Sequence, residues 1–182
     1  MRPRLALAAM ALIIPAAQAD TLDFGIGPVG GYMKTRGADN GTWYGGLAAR
    51  VRVLDYIGAE ASVTYHANEY LDKAAVVSQI PVQLSALLYP FPNWPLQPYA
   101  LAGAGWYYTR TDYRDALSGF DSETDSMFGV HLGAGLAYDA GPLSLFGDFR
   151  YVFLDEPGVD NSDLKDEEYD SWVVSFGVFF GF

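Results

Sequence analysis

Few side chains in this sequence of 182 residues are of the types that carry out covalent chemistry. It contains no cysteine, which excludes thiol catalysis, a disulfide scaffold and zinc sites built from cysteine. Its two histidines, His66 and His131, could act as general bases only beside a nucleophile and an orienting carboxylate. We interpret both histidines as members of a polar network. We therefore assign no catalytic and no cofactor-binding residue.

A group of charged side chains lies in the middle of segments that are otherwise apolar. Breaking one buried ion pair costs about 3–5 kcal/mol, so charges in such positions need partners. Three of them are positive and two are negative, which is close to balance. We therefore predict that they pair with one another and fill the interior, rather than line a charged conduction path. Together with one histidine, the predicted network comprises Arg50, Arg52, Glu60, His131, Asp148 and Arg150.

Acidic residues concentrate in the stretches 111–126 and 155–170. Oxygen ligands of this kind suit hard cations such as Ca²⁺ and Mg²⁺, so one hypothesis is a cation-mediated contact with anionic lipopolysaccharide. The spacing does not match an EF-hand loop, which also needs a central glycine. The alternative, which we favour, is that both stretches are solvated loops that keep one rim of the molecule soluble. The candidate cation contacts are Asp160, Asp163, Asp166, Glu167 and Glu168.

The overall composition narrows the class of protein. Asp and Glu number 22 against 11 for Lys and Arg, which gives a formal net charge of −11. Because binding to nucleic acid needs clustered basic residues, we exclude a nucleic-acid partner. The chain is nevertheless 51% hydrophobic and 15% aromatic, which argues against disorder. A single domain that is both apolar and strongly acidic has to separate these two properties in space.

The N-terminus has the composition of an export signal. Two arginines precede an apolar stretch, 5–17, and a small-x-small pattern for cleavage ends at Ala19. The stretch is too short for a membrane-spanning helix, which needs about 20 residues. We predict a signal peptide over residues 1–19, cleavage after Ala19, and a mature domain over residues 20–182.

After this leader, hydrophobicity alternates with a period of two residues. In the segment 57–68 apolar and polar residues alternate without a fault over twelve positions, which is longer than the strands of ordinary soluble proteins. No later stretch approaches 18 consecutive apolar residues, so we expect no membrane helix. In 99–110 the small and aromatic residues fall on both faces, and its facing stays unassigned. The predicted strands are 23–34, 43–54, 57–68, 76–88, 99–110, 127–138, 143–154 and 171–182.

Long connections alternate with short ones and the strand count is even, as in barrels that span the outer membrane. A soluble lipocalin-like barrel also alternates, but the interior of such a ligand-binding barrel should be apolar. Here the polar face carries charges in mid-strand, while the other face is almost uniformly Val, Leu, Ala and aromatic. An apolar exterior around a charged interior indicates that the surrounding solvent is lipid. We therefore predict an all-β fold, an eight-stranded, antiparallel, up-and-down transmembrane β-barrel.

Two short turns predict how neighbouring strands align. A three-residue turn would pair Val53 with Ile57, and this register places Arg50 opposite Glu60. A four-residue turn at 139–142 fixes a second register, in which glycines leave room for large partners. It pairs Tyr138 with Leu143, His131 with Arg150, Gly133 with Asp148 and Gly135 with Phe146.

The last strand ends with a polar residue, a glycine and two aromatic residues at fixed spacing: Ser175, Gly177, Phe180 and Phe182. In this pattern, polar-x-Gly-x-x-apolar-x-aromatic, the sequence resembles the bacterial outer-membrane β-barrel families of the OmpA, OmpX, OmpW and opacity-protein type. In those families the barrel-assembly machinery reads the signal in the last strand. The resemblance covers the whole mature chain in architecture, but only eight residues as a motif.

The resemblance implies a location in the outer membrane of a Gram-negative bacterium, with both termini in the periplasm. It also implies partners: outer-membrane lipid and lipopolysaccharide, the barrel-assembly machinery and periplasmic chaperones. We expect a monomer. The resemblance does not fix one function, because such barrels serve as adhesins, solute conduits, structural proteins and lipid A enzymes.

Among these functions we favour a non-enzymatic integral protein that stabilises the outer membrane or presents its loops for surface contact. The alternative is a narrow conduit for small or apolar solutes, as in the OmpW-type relatives. A lipid A-modifying enzyme is the least favoured, because the His-x-Ser pattern of the barrel deacylases is absent at both His66 and His131.

Overall fold

The computed structural model describes residues 22–36, 41–70, 75–113, 123–154 and 170–181. Within them, eight strands form one closed antiparallel barrel, in which each strand pairs with the next and the last pairs with the first. No helix in these ranges is long and apolar enough to cross a membrane. The strands are β1 (Asp23–Thr35), β2 (Thr42–Leu54), β3 (Ile57–Tyr70), β4 (Ala75–Leu88), β5 (Leu96–Tyr113), β6 (Glu123–Ala140), β7 (Leu143–Leu154) and β8 (Ser171–Phe180).

The predicted fold class and all eight predicted strands are confirmed. The largest differences in length concern β5 and β6, which extend beyond the predicted ends on both sides. These two strands pair with each other almost from end to end, from Leu96 with Tyr138 to Thr111 with Glu123. Each therefore supplies the hydrogen-bonding partner that lets the other continue.

Side chains alternate between the lumen and the outer surface, as the period of two predicts. In β3 the inward-facing Glu60, Ser62 and Thr64 are buried, whereas the outward-facing Val63 and Tyr65 are about half exposed. In a closed sheet every strand forms backbone hydrogen bonds with two neighbours, so no open sheet edge faces the surroundings. An apolar exterior of this kind is therefore compatible with lipid.

The structure also assigns the two faces of β5, which the sequence pattern left open. Each face of this strand carries both small and large side chains, so residue size alone does not distinguish the two faces. The lumen face presents Tyr99, Leu101 and Tyr107, and the outer face presents Trp106 and Tyr108.

Large apolar side chains are exposed on the outer surface of every strand, at 37–69% of their area. A soluble monomer rarely exposes a contiguous apolar patch of more than a few hundred Å², whereas a lipid-facing barrel wall is apolar all around. One representative from each strand in turn is Ile26, Leu47, Val63, Leu84, Trp106, Leu132, Phe149 and Phe176.

The first short turn gives the predicted charge pairing through a different local alignment. Arg50 lies opposite Glu60, as predicted, but Ile57 pairs with Leu54 rather than with Val53. The ladder is irregular just before Leu54, and Val53 is an extra residue in β2. A bulge of this kind tightens the turn and leaves the register upstream unchanged.

The second predicted register is wrong by two residues. β6 continues to Ala140 and pairs there with Leu143, because the turn consists of Gly141 and Pro142 alone. Gly141 has φ +68°, which glycine adopts without steric cost, and this permits the shorter turn. A shift of two residues keeps every side chain on its predicted face. The observed partners are Tyr138 with Leu145, His131 with Val152, Gly133 with Arg150, Gly135 with Asp148 and Ala137 with Phe146.

The connections 55–56, 89–95 and 141–142 lie at one end of the barrel, which we call the turn end. β1 begins and β8 finishes at this end as well. The opposite end, the loop end, carries the remaining connections, and these lie largely outside the described residues.

Candidate functional site in the barrel lumen

Four charged residues form a connected layer in the middle of the lumen, which we call the charged belt. Glu60 Oε2 accepts hydrogen bonds from Arg50 Nε at 3.0 Å and Nη2 at 2.5 Å, and Glu60 Oε1 accepts one from Arg150 Nη2 at 2.7 Å. Arg150 also donates to both carboxylate oxygens of Asp148, from Nε at 2.8 Å and from Nη2 at 2.9 Å. Each of the four residues is at most 5% exposed. Two positive charges thus balance two negative ones inside the barrel.

The belt joins strands on opposite sides of the barrel. Arg50 and Glu60 lie on the adjacent strands β2 and β3, whereas Asp148 and Arg150 both lie on β7. Since β3 and β7 are not neighbours in the sheet, the bond between Arg150 and Glu60 crosses the lumen. This bond therefore spans the interior at mid-height.

Aromatic side chains fill the lumen below the belt, toward the turn end. Tyr89 and Tyr99 have ring centroids 5.4 Å apart, and Phe146 and Phe179 stack at 4.8 Å with their planes at 16°. The Arg50 guanidinium lies over three of these four rings, at 4.6–4.8 Å from each centroid, a distance typical of cation–π contacts. Tyr99 also donates to Asp148 Oδ2 at 2.9 Å. We call the four aromatic residues Tyr89, Tyr99, Phe146 and Phe179 the aromatic floor.

A second ion pair lies nearer to the turn end. Arg52 Nη1 lies 3.7 Å from Asp139 Oδ2, which also accepts a hydrogen bond from Gln97 Nε2 at 2.9 Å. The Arg52 guanidinium stands over the Tyr89 ring at 4.4 Å from its centroid. Arg52, one of the residues of the predicted network, therefore contacts the aromatic floor, and it has a carboxylate partner that sequence reasoning did not assign.

The structure brings together a serine and a histidine that are far apart in the sequence. Ser85 Oγ and His131 Nε2 lie 2.8 Å apart, and both side chains are buried. In a serine hydrolase a carboxylate would hold the other ring nitrogen, but His131 Nδ1 has no hydrogen-bond partner among the described residues. The pair also lies outside the lining of the lumen cavity. We interpret the pair as a structural hydrogen bond beside the belt, not as a nucleophile with its base.

Glycines leave the space that this packing requires. Gly103 faces both Ser85 and His131, and a Cβ on it would stand 2.7 Å from His131 Nε2. A Cβ on Gly135 would stand 2.6 Å from Tyr99 Cζ. Real Cβ atoms essentially never come so close, so both positions admit these large side chains from the adjacent strand only because they are glycine.

Above the belt, toward the loop end, the lumen contains a cavity of about 400 Å³, which we call the vestibule. Glu60 and Arg150 reach it from below. Its polar side is braced by hydrogen bonds from Gln79 Nε2 to Thr109 Oγ1 at 3.1 Å and from Gln83 Nε2 to Tyr107 Oη at 2.6 Å. The polar lining on β3, β4 and β5 includes Ser62, Thr64, His66, Gln79, Gln83 and Thr109. The facing lining on β1, β6, β7 and β8 is mostly apolar but includes the hydroxyl groups of Thr35, Ser171 and Ser175. Its apolar members are Val29, Met33, Met127, Val152, Leu154 and Val173.

Residues 5–180 match the sequence family described as the outer membrane protein β-barrel domain. The chain belongs to this family. Membership accounts for the closed sheet and the apolar outer wall, since a protein that spans lipid with strands needs both. It also places the protein in the outer membrane of Gram-negative bacteria, as the resemblance of the last strand predicted.

Solved structures with a similar fold include neisserial surface protein A, with a TM-score of 0.65 and 16% identity over 88% of this chain and 97% of that one. A major outer membrane protein from Thermus thermophilus has a TM-score of 0.64 and 14% identity, over 88% of this chain and 99% of that one. Ail, the attachment invasion locus protein of Yersinia pestis, has a TM-score of 0.56 and 18% identity, over 88% of this chain and 97% of that one. At these identities the similarity establishes the fold alone. No curated protein matches the chain in sequence.

The residues of the predicted assembly signal occupy the seam where the family's barrel closes. Ser175 is buried and lines the vestibule, and Phe180 is exposed on the outer wall. Gly177 pairs with β1 on one side and with β7 on the other. Phe182 lies outside the described residues. Recognition of these residues by the assembly machinery stays a prediction.

Two further predictions concern segments outside the described residues. One is the signal peptide over 1–19, and the other is the acidic cluster in 155–170. Among the residues that the structure does describe, no group of three or more His, Asp or Glu side chains could hold a metal ion. The acidic cluster comprises Asp160, Asp163, Asp166, Glu167 and Glu168.

Proposed function

We propose that this member of the outer membrane β-barrel family is a non-conducting, non-enzymatic integral protein that stabilises the membrane or presents its loops for contact. The observation that carries the proposal is the charged belt, with the packed aromatic floor beneath it. The bond from Arg150 to Glu60 crosses the barrel at 2.7 Å, and the aromatic floor fills the space below it. A permeating ion would have to break buried ion pairs, each of which costs about 3–5 kcal/mol to disrupt.

The proposed contact role rests on the distribution of charge. The structure of Ail was solved in complex with the heparin analogue sucrose octasulfate. A polysulfated ligand does not suit the present chain, whose net charge is −11 and whose loop sequences are acidic. A contact with lipopolysaccharide that is bridged by divalent cations at 155–170 suits it better, because Ca²⁺ and Mg²⁺ prefer carboxylate oxygens.

The proposed route to the membrane follows from the two ends of the sequence. A signal peptide over 1–19 would be removed after Ala19, and periplasmic chaperones would carry the chain to the assembly machinery. That machinery would read the final strand, 175–182. A monomer is proposed because a fully closed sheet has no free edge that a second copy would need to cover.

Conductance in planar bilayers tests the closed lumen. The mature chain, residues 20–182, is refolded and inserted, and we expect no discrete current steps above those of the bare bilayer. As a matched control, Thr64→Val alters the vestibule without touching the belt and should be equally silent. Stable steps that scale with salt concentration and vanish after heat unfolding would contradict the proposal.

A narrow conduit for small or apolar solutes is the second candidate, and the vestibule is the observation that favours it. The cavity has an apolar side and a polar side, and at about 400 Å³ it has room for a small molecule. Transport would require the belt to open after the solute enters. Vesicles that contain the protein are placed in a solution of a neutral sugar. Swelling of the vesicles would support the conduit, and the absence of swelling would support the non-conducting protein.

Lipid A modification is the third candidate and the least supported. The pair Ser85–His131 lacks an orienting group on Nδ1 among the described residues. Expression of the chain in a Gram-negative host should therefore leave the mass spectrum of lipid A unchanged. A new lipid A species that disappears with Ser85→Ala would restore the enzymatic role.

A further inference from the structure

The floor of the vestibule presents a hydrogen-bond donor that is not used within the described part of the chain. Arg150 lines the cavity and is 4% exposed. Its Nε and Nη2 atoms donate to Glu60 and Asp148, whereas Nη1 donates to none of the described residues. Buried polar groups in folded proteins nearly always have a partner, and a guanidinium group can only donate. The floor therefore suits a bound molecule that brings a hydrogen-bond acceptor.

The wall above Arg150 is apolar. Toward the loop end, Arg150 is followed on β7 by Val152 and Leu154, and Val173 on β8 pairs with Arg150. Met33 on β1 pairs in turn with Val173. All four apolar side chains line the vestibule. A hydrocarbon group above the floor would therefore leave water and contact apolar side chains, which is favourable.

The opposite wall, on β3, keeps polar groups that are not paired. Ser62, Thr64 and His66 line the cavity there. His66 is 8% exposed, and its Nδ1 atom has no hydrogen-bond partner in the described ranges. Cavities that stay empty in proteins are lined by apolar groups, whereas a polar lining is typical of a cavity that holds water or another molecule. The vestibule therefore has the features of a binding site rather than of a packing void.

The charges of the belt decide the charge of the bound molecule. Arg150 already contacts two carboxylates, those of Glu60 and Asp148, and the belt as a whole is neutral. A carboxylate on a ligand would add a third buried negative charge without a cation of its own, which is costly. An ammonium group has no lone pair for Nη1. An uncharged acceptor, such as an amide or ketone oxygen, meets both conditions.

We propose that the vestibule binds a small uncharged amphiphile, whose acceptor oxygen contacts Arg150 Nη1 and whose hydrocarbon part packs on Met33, Val152 and Val173. The cavity of about 400 Å³ is within the size range of pockets for small molecules. Binding does not require the belt to open, so the site is compatible with a closed lumen and with a conduit alike.

Two methionines make the vestibule directly observable. Met33 and Met127 are the only methionines in residues 20–182, and both line the cavity. The mature chain is labelled with ¹³C at the methionine methyl groups, folded in phosphatidylcholine nanodiscs and titrated with hexanamide. We expect both methyl resonances to shift to saturation. Absent shifts, or shifts that rise linearly with concentration as for partition into lipid, would overturn the proposal.

A comparison of head groups tests the role of Arg150. Hexanoate and hexylammonium carry the same six-carbon chain with a charged head, and we expect each to bind at least about tenfold more weakly than hexanamide. Equal affinity for either charged probe would contradict an uncharged ligand. Arg150→Lys keeps the positive charge and removes Nη1, so it should weaken hexanamide by a similar factor. If this variant fails to fold, the comparison of probes in the parent chain decides.

Two phenylalanine substitutions on β8 form the matched control. Val173→Phe fills the cavity, whereas Val174→Phe places the same ring on the outer wall, where Val174 is 41% exposed. Hexanamide binding, read at Met127, should be lost in Val173→Phe and unchanged in Val174→Phe. Equal binding to both variants would place the ligand outside the vestibule and overturn the proposal. Saturable binding to a chain that conducts would contradict only the closed lumen, and a silent chain without saturable binding would contradict only the ligand site.

Discussion

The two halves of the lumen are built in opposite ways, although the same strands line both. Toward the turn end, the charged belt and the aromatic floor pack against each other, with the Arg50 guanidinium over three of the rings. Toward the loop end, small polar side chains face apolar ones across a cavity of about 400 Å³. Glu60 and Thr64 lie on the same face of β3, yet Glu60 bonds across the lumen to β7 whereas Thr64 lines the cavity.

This difference predicts that the belt contributes more to the stability of the barrel than the vestibule does. The belt supplies buried ion pairs that are costly to break, while the vestibule is held by hydrogen bonds between uncharged side chains. Substitutions in the belt should therefore destabilise the barrel strongly and those in the vestibule weakly. Four variants test this contrast, each measured as the free energy of unfolding in urea, with the folded barrel embedded in lipid vesicles.

Glu60→Gln should have the largest effect. Glu60 accepts hydrogen bonds from both arginines of the belt, so removal of its charge leaves Arg50 without a carboxylate partner and Arg150 with Asp148 alone. We expect a loss of about 3–5 kcal/mol, as for other broken buried pairs. A loss below about 1 kcal/mol would mean that the belt does not hold the lumen together.

Arg50→Met should cost less than Glu60→Gln. Glu60 keeps its bond to Arg150 at 2.7 Å in this variant, and the methionine side chain can still pack on the aromatic floor. The expected loss is about 1.5–3 kcal/mol, which is typical of hydrogen bonds to charged groups. Unchanged stability in both Arg50→Met and Glu60→Gln would rule out the pairing.

Gly103→Ala tests the space beside the belt. The added Cβ would meet His131 Nε2 at 2.7 Å and the backbone of β4, so overpacking should cost about 1–3 kcal/mol. Gly147→Ala is the matched control, because its Cβ would have Ser175 O as its nearest neighbour, at an ordinary 3.7 Å. Equal effects of the two substitutions would show that the glycine positions are not determined by packing.

Thr64→Val should have the smallest effect. It retains the shape of the side chain and removes a hydroxyl that faces the vestibule, so we expect a change within about 0.5 kcal/mol. A loss as large as that of Glu60→Gln would erase the distinction between the two halves of the lumen.

Most of the fold follows from the sequence because the period of two is a local property. Each strand reveals its own faces, and the pairing of Arg50 with Glu60 follows from a turn that lies within a few residues of both. The alignment of β6 with β7 depends on one backbone conformation, φ +68° at Gly141, which shortens the turn. Residue types alone allow either turn length, so the register predicted from the sequence differs by two residues from the observed one.

The site was harder to predict because several of its contacts join residues far apart in the sequence. The belt residues could be identified as a group from their charge in mid-strand, but their partners depend on which strands face each other. Arg150 and Arg52 find their partners across the lumen, and Ser85 bonds to His131 past Gly103, contacts that no local sequence pattern predicts. The sequence predicts Asp139 as part of a turn, whereas in the structure Asp139 is the ion-pair partner of Arg52.

Chemical access to single cysteines tests the closed belt most directly, and the absence of native cysteine makes the experiment clean. Thr64→Cys places a thiol in the vestibule, and Gln97→Cys places one on the turn-end side of the belt. A membrane-impermeant maleimide applied to either side of the membrane should modify Thr64→Cys from the loop end only and Gln97→Cys from the turn end only. Modification of Thr64→Cys from the turn end would show that the lumen is open and would contradict the account.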